Sequence, residues 1–339
     1  MSENPHHPPA PSHRDALLSI EGLKVHYPVR QGWRGTQSAV KAVDGVDLNL
    51  RSGECLGLVG ESGCGKSTIA QAILGLVPAT AGRISVDGHE ITGPGSADPM
   101  RLARSAQMVF QDPMSSLNPR QTIREILSGP LRLHGMGNRD QREVRLQEML
   151  RLVGMKPDAA DRRPDEFSGG QRQRLCIARA LILQPKLVIC DEPVSALDVS
   201  IRAQIINLLL DLKRELGIAL LLISHDLGVV EHMSDRINVM YLGRIVEDGD
   251  WQQIFANPAH PYTRALISAI PDPLHHEKAP QRLRGEIPSP LNPPPGCAFH
   301  PRCPVAVDRC RTGANPDFTT IGPNHRGRCH LIEAELLNA

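Results

Sequence analysis

The chain has no apolar run long enough to cross a membrane. Its longest, Leu216 to Ile223, is broken by Gly217 and falls far short of the roughly 20 residues that a helical span requires. The N-terminal stretch MSENPHHPPAPSHRDA holds no apolar centre of the kind a secretory signal needs; residues 1–18 read as a disordered lead-in. A charge excess is also missing. Lys and Arg total 38 against 37 Asp and Glu, so nothing points to nucleic acid as a partner, and any phosphate binding has to be local. No segment repeats, which excludes two fused cores. These absences place the expected protein in the cytoplasm, with any membrane work done through partner subunits.

What is present is a set of strand and helix patterns over 339 residues, 40% of them hydrophobic, enough for one large domain and an appendage. ECLGLVG (54–60), LVICDE (187–192) and ALLLISHD (219–226) are near-continuous apolar runs ending in Gly or polar residues, as buried parallel strands do. LSIEGLKVHYP (18–28) and AVKAVDGVDLNL (39–50) read as strands separated by a Gly-, Arg- and Gln-rich insert at 30–38. RISVDG (83–88) reads as a further strand, and RINVMYLGRIVEDG (236–249) as two strands around a Gly turn. KSTIAQAILGL (66–76) and IRAQIINLLLDLKREL (201–216) have helical spacing, and the charged helical patterns between 119 and 180 predict a helical insert in an α/β core. Beyond residue 256 the composition shifts. Eight prolines fall within 271–295, too many for regular elements, and predict an extended or wrapping segment.

The chemistry-bearing motifs start at GESGCGKST, residues 60–68, which fits the phosphate-binding loop pattern G-x-x-x-x-G-K-[ST]. It follows a strand and precedes a helix. The backbone N–H groups of Gly60, Glu61, Ser62, Gly63, Cys64, Gly65, Lys66, Ser67 and Thr68 would cradle phosphates at the helix start. Lys66 would reach the β- and γ-phosphates of ATP and Ser67 would offer a hydroxyl to Mg²⁺. LVICDE delivers Asp191 at the end of a buried strand, placed for Mg²⁺ or a metal-bound water. Glu192, the next residue, points elsewhere by the strand's period of two and can polarise an attacking water.

FSGGQRQRLCIARAL, residues 167–181, resembles the signature motif of ATP-binding cassette proteins. Ser168 would cap a helix, Gly169 and Gly170 would allow close approach, and the exposed N–H groups up to Gln171 would form an anion site. The resemblance implies that this site closes over the γ-phosphate held by an opposite subunit. It also implies roles for Gln111 in MVFQDP as the Q-loop glutamine that contacts Mg²⁺, Asp198 in SALD near the dimer seam, and His225 in ISHD beside the γ-phosphate. Tyr27 is the candidate that stacks on adenine; an ordinary core tyrosine is the other reading. The implied fold is an α/β P-loop ATPase core over 19–256 with an antiparallel β subdomain and a helical subdomain at about 112–180. A C-terminal extension follows over 257–339.

FQDPMSSLNPR (110–120), DEFSGGQRQR (165–174), NPAHPYTRAL (257–266) and EIPSPLNPPPGCAFHPRCP (286–304) are similar to the ATP-binding subunits of bacterial dipeptide and oligopeptide importers. That similarity implies peptide import, with a second, non-identical cassette, two membrane permeases and an extracytoplasmic substrate-binding protein. It places the chain at the cytoplasmic face of the inner membrane, with residues 112–120 lining the groove for the permeases. Nickel and glutathione importers share this cassette type. A soluble cassette for repair or translation fits less well, because the chain has one cassette and no coiled-coil insert; an exporter is disfavoured by the tail.

The tail carries Cys297-x5-Cys303-x6-Cys310-x18-Cys329, which lacks the paired CxxC of zinc ribbons. Four thiolates could hold a [4Fe–4S] cluster, since the similar region of some family members resembles such a site, or Zn²⁺, or they could remain unliganded. His300, His325 and His330 are spare ligand candidates. A structural cluster is the expectation, because so short and Pro-rich a tail has little core of its own.

Overall fold

A computed structural model describes residues 16–31, 36–93, 95, 98–195, 197–270, 283 and 285–332. In chain order the first strands are β1 (Leu18–Gln31), β2 (Thr36–Leu50) and β3 (Cys55–Val59), followed by helix α1 (Lys66–Ile73). Next come β4 (Ala81–Val86), β5 (His89–Glu90), α2 (Pro99–Ser105) and β6 (Ala106–Val109). The helices α3 (Pro113–Ser116), α4 (Ile123–Leu133), α5 (Arg139–Leu152) and α6 (Gly169–Leu181) form the insert. The core resumes with β7 (Leu187–Asp191), α7 (Val199–Leu216), β8 (Ala219–Ser224), α8 (Leu227–Met233), β9 (Arg236–Tyr241) and β10 (Arg244–Asp250). Last come α9 (Trp251–Ala256), α10 (Pro261–Ser268), α11 (Asp308–Arg311), β11 (Thr319–Gly322) and β12 (His325–Gly327).

The central sheet has the order β11-β12-β10-β9-β3-β8-β7-β6. β3 lies parallel to both β8 and β9, and β7 parallel to both β8 and β6. Every residue of β3, β7 and β8 is buried, which is why these strands read as unbroken apolar runs: both faces are covered. The carboxyl ends of β3 and β7 deliver the phosphate loop and Asp191. A second, antiparallel sheet runs β2-β1-β4-β5. Its long hairpin pairs Leu18 with Leu50 and, at the far end, Gln31 with Thr36. The expected insert at 30–38 therefore lengthens both strands, and residues 32–35 lie outside the described residues. Of the lead-in expected over 1–18, residues 1–15 also lie outside them, whereas Leu17 and Leu18 are buried and β1 begins at Leu18.

The inserted helices start on reciprocal caps. Thr122 with Glu125, Asn138 with Gln141, and Ser168 with Gln171 each form a capping box, satisfying N–H groups that a first turn leaves orphaned.

The tail is built onto the ATPase core. β12 pairs antiparallel with β10, Glu247 opposite Gly327 and Gly249 opposite His325. Glu247, fully buried, accepts the backbone N–H of Ala259 at 2.7 Å and of His260 at 2.9 Å, and pairs with His325 Nε2 at 2.8 Å. Burial pushes His260 down to about 4, so its ring stays neutral and Nδ1 accepts the Tyr262 N–H at the start of α10. The rings of Tyr262 and Phe299 pack edge-on against Tyr241 at 4.8 and 5.2 Å. Residues 285–295 contain no helix or strand, and the Lys41 N–H of β2 donates to the Pro290 carbonyl at 3.1 Å. Residues 271–282, 284 and 333–339 lie outside the described residues.

This arrangement corrects the expected metal cluster. Among the described residues no group of three or more His, Cys, Asp or Glu side chains is placed to hold a metal ion. Cys297, Cys303, Cys310 and Cys329 are free cysteines. Desolvation pushes the Cys297 thiol up to about 11 and raises those of Cys303 and Cys329. His325, counted as a spare ligand, is committed to Glu247. Neither a [4Fe–4S] cluster nor Zn²⁺ is supported. The inference failed because it treated the tail as needing its own core, whereas strand addition, the aromatic cluster and the Glu247 node tie it to the larger one. Glu247→Gln should lower unfolding stability by about 1–3 kcal/mol, because it leaves buried donors poorly paired. An unchanged urea midpoint would exclude Glu247 as the anchor.

Candidate nucleotide site

The loop between β3 and α1 ends at Gly65, the N-cap of α1, with φ 110 and ψ 5 and no side-chain cap. The first N–H groups of the helix are thus left for an anion. A side chain at Gly65 would strike the Ala42 carbonyl of β2. The turn between β9 and β10 closes the same corner, since Gly243 donates to the Cys64 carbonyl at 2.9 Å and accepts from the Asp44 N–H at 2.9 Å. Lys66 is buried and directs Nζ at the carbonyls of Gly60 (2.7 Å) and Glu61 (3.0 Å), with Cys64 Sγ at 3.7 Å. Burial raises the Cys64 thiol, so it packs as a small apolar group. Ser62, Gly63 and Ser67 are exposed and Thr68 is half-buried.

Glu61 faces another way. Its N–H donates to the Tyr262 hydroxyl at 2.8 Å, and its carboxylate accepts both arms of Arg302, at 2.6 and 2.9 Å. Its side chain and its N–H are therefore engaged by the tail instead of joining the expected cradle.

Asp191 lies buried at the end of β7, and burial raises its carboxyl while the Ser67 hydroxyl lowers it, the Glu192 charge raises it and Lys66 lowers it. Its Oδ1 is buried with no hydrogen-bond partner. An orphaned carboxylate oxygen next to a serine at the mouth of a phosphate loop suits a nucleotide-bound Mg²⁺, which takes one or two protein carboxylates beside phosphate and water oxygens.

Three strands' ends meet at Glu192. Gln111 Nε2, after β6, donates to its Oε2 at 3.0 Å, and His225 Nδ1, after β8, lies 2.8 Å from its Oε1. Strand alternation alone does not aim Glu192. β7 stops at Asp191, and Glu192 adopts a left-handed φ of 48°, a strained backbone of the kind found at functional sites.

Ser168 and Gln171 bond each other, Ser168 N–H to Gln171 Oε1 at 3.0 Å and Gln171 N–H to Ser168 Oγ at 3.4 Å. Ser168 and Gly169 are exposed. A Cβ on Gly170 would approach Ile201 Cγ2 to 2.6 Å, so glycine there lets the signature helix close on α7. Asp198, exposed, is the N-cap of α7 and makes no side-chain cap bond. Tyr27 is 38% exposed, which sets aside the core-tyrosine reading. It pairs with Val40, two positions from the Ala42 carbonyl that meets the phosphate loop. Tyr262 and Arg302 were missed by sequence reasoning. Their segments were legible only as marks of lineage, and nothing local joins them to a loop more than 200 residues earlier.

Residues 43–195 match the family model described as ABC transporter, and residues 246–310 the one described as oligopeptide/dipeptide transporter, C-terminal region. The chain is 54% identical over 323 residues to the probable peptide ABC transporter ATP-binding protein y4tS of Sinorhizobium fredii, spanning 94% of this chain and 90% of that protein. It is 55% identical over 306 residues to the oligopeptide transport ATP-binding protein OppF of Escherichia coli, spanning 88% and 91%. Among solved structures it is similar to cbiO1 of Clostridium perfringens, part of the ABC transporter complex cbiONQ. There the TM-score is 0.62 and the identity 30%, over 72% of this chain and 92% of that one. The dimeric cassette MJ0796 with ADP and Pi matches at TM-score 0.60 and 28% identity, over 69% of this chain and 98% of that one. The chain belongs to the ATP-binding cassette family, in its peptide-transporter branch, as a subunit that binds and hydrolyses ATP.

Proposed function

We propose that this chain energises import of di- and oligopeptides by hydrolysing ATP in a site completed by a second cassette. The observation that carries this reading is the convergence of Gln111 and His225 on Glu192, beside Asp191 and the phosphate loop. Backbone N–H groups of the loop and the Lys66 ammonium hold the phosphates, and Tyr27 stacks on adenine. Ser67, Asp191 and Gln111 would hold Mg²⁺, which would supply positive charge against the phosphates. Glu192 polarises the water for in-line attack. Gln111 and His225 fix its carboxylate, and His225 adds a hydrogen bond at the γ-phosphate.

Ser168–Gln171 offer an anion site to the γ-phosphate of the opposite subunit through the Gly169 and Gly170 N–H groups, those of Ser168 and Gln171 being engaged in the capping box, with Asp198 at the seam. ATP thus joins two cassettes and hydrolysis releases them. In this reading residues 19–256 form the nucleotide-binding domain, with its helical subdomain at about 112–180, and 257–339 the extension. The partner cassette is related but non-identical. Two membrane permeases hold the pair at the cytoplasmic face of the inner membrane, and an extracytoplasmic binding protein delivers cargo to them. The permeases dock in the cavity of about 290 Å³ between core and helical insert, lined by Leu76, Phe110, Ser116 and Arg179. The cargo meets the permeases and not this chain. Extraction of tagged protein in mild detergent should recover two permeases and a second cassette. Recovery of the chain without any membrane protein would overturn the importer reading.

A further inference from the structure

The phosphate loop is gripped from outside the ATPase core. Glu61, the loop's second residue, is held at two points: the Tyr262 hydroxyl takes its backbone N–H, and Arg302 takes its carboxylate in a two-armed pair. Two parallel bonds fix the plane of a carboxylate as well as its distance. Both partners are themselves immobilised. Tyr262 is fully buried, and the Arg302 side chain is 5% exposed. Arg302 sits in the short turn His300–Arg302, next to Phe299, whose ring packs on both Tyr241 and Tyr262. The same Glu61 passes the constraint inward, because its carbonyl is one of the two that orient the Lys66 ammonium.

We propose that the C-terminal extension positions the phosphate-binding loop, with Tyr262 and Arg302 acting through Glu61 to set the loop and Lys66 for ATP. This rests on the nucleotide-site reading above. The physical ground is entropy. A Gly-rich loop is conformationally permissive, and a loop already ordered before ligand arrives avoids the ordering cost at binding. The N–H that Tyr262 holds is not one of those left for phosphate, so the contact anchors the loop without competing for the ligand. Tyr262 and Arg302 are positioning residues: the effect of losing them falls on ATP affinity and KM, while the reacting groups at Glu192 are untouched.

Calorimetric titration of the full chain with ATP and Mg²⁺ tests this. Tyr262→Phe keeps the ring and deletes only the acceptor; Arg302→Met keeps the length and deletes the fork. Each should weaken ATP binding about tenfold, the scale of one buried donor left unpaired, with kcat in the assembled transporter nearly unchanged and Arg302→Lys recovering part of the loss. If Arg302→Met does not fold, Tyr262→Phe decides alone. A merely structural role would lower the melting temperature of the nucleotide-free protein and leave affinity intact. Affinities within about twofold of wild type in the folded variants, below what one lost hydrogen bond gives, would overturn the proposal. Lys66→Ala serves as the blank. A wild-type chain no better than that blank would bring down the nucleotide-site reading itself, a different failure from wild-type binding that the Tyr262 and Arg302 variants retain.

Discussion

Glu192→Gln should bind ATP as tightly as the wild type and hydrolyse it about a thousandfold more slowly, the scale of losing a positioned general base. The amide is nearly isosteric with the carboxylate. It can still accept the Gln111 Nε2 bond at the 3.0 Å position and still meet His225, so the geometry between β6, β7 and β8 survives. What disappears is the negative charge that polarises water. The phosphate loop and Asp191 are unchanged, so affinity holds. Glu192→Ala removes the charge and also the node that ties Gln111 to His225, and should disturb binding as well. Phosphate release measured beside ATP affinity separates these outcomes. Turnover near wild type would remove Glu192 from the chemistry, and lost affinity in Glu192→Gln would make it a structural node only.

The parts of the site that could be read from sequence are those made by contiguous residues. GESGCGKST, LVICDE and FSGGQ each carry their geometry locally: a loop entering a helix, a strand ending in an acid, a serine three residues before its capping glutamine. The central strands were legible for a related reason, since burial on both faces leaves an unbroken apolar run. Long-range pairing leaves no such trace. β11 and β12 are 4 and 3 residues long, too short for a pattern, yet they continue the central sheet and make the tail part of the ATPase core. The left-handed turn at Glu192 was hidden because its residue type does not announce it. The cysteines misled in the opposite direction. Their clustering in sequence suggested ligands, but among the described residues folding places no group of three or more His, Cys, Asp or Glu side chains to hold a metal ion. Glu61 shows both limits at once: its motif places it in the phosphate cradle, and its partners, 201 and 241 residues away, direct its side chain and N–H elsewhere.

Gly65→Ala should abolish measurable ATP binding, a loss of more than about a hundredfold, through one methyl group. Gly65 holds φ at 110°, a region costly for any residue with a Cβ. That strain alone would be modest. The larger effect is the collision of the new methyl with the Ala42 carbonyl, with Met240 Cε a further 2.8 Å contact. A methionine tip can move, but a backbone carbonyl in β2 cannot, because β2 is paired along β1 and its Asp44 N–H is bonded to Gly243. The loop must therefore move instead, and with it the N-cap of α1 and the N–H groups left for phosphate. Gly53→Ala is the matched control. Gly53 also has a positive φ, 72°, but nothing lies within 4 Å of its added Cβ, so it carries the backbone strain without the collision. It should lower stability by about 1 kcal/mol and leave ATP affinity intact. Equal affinity in the two variants would show that the contact with β2 does not hold the loop in its phosphate-binding form.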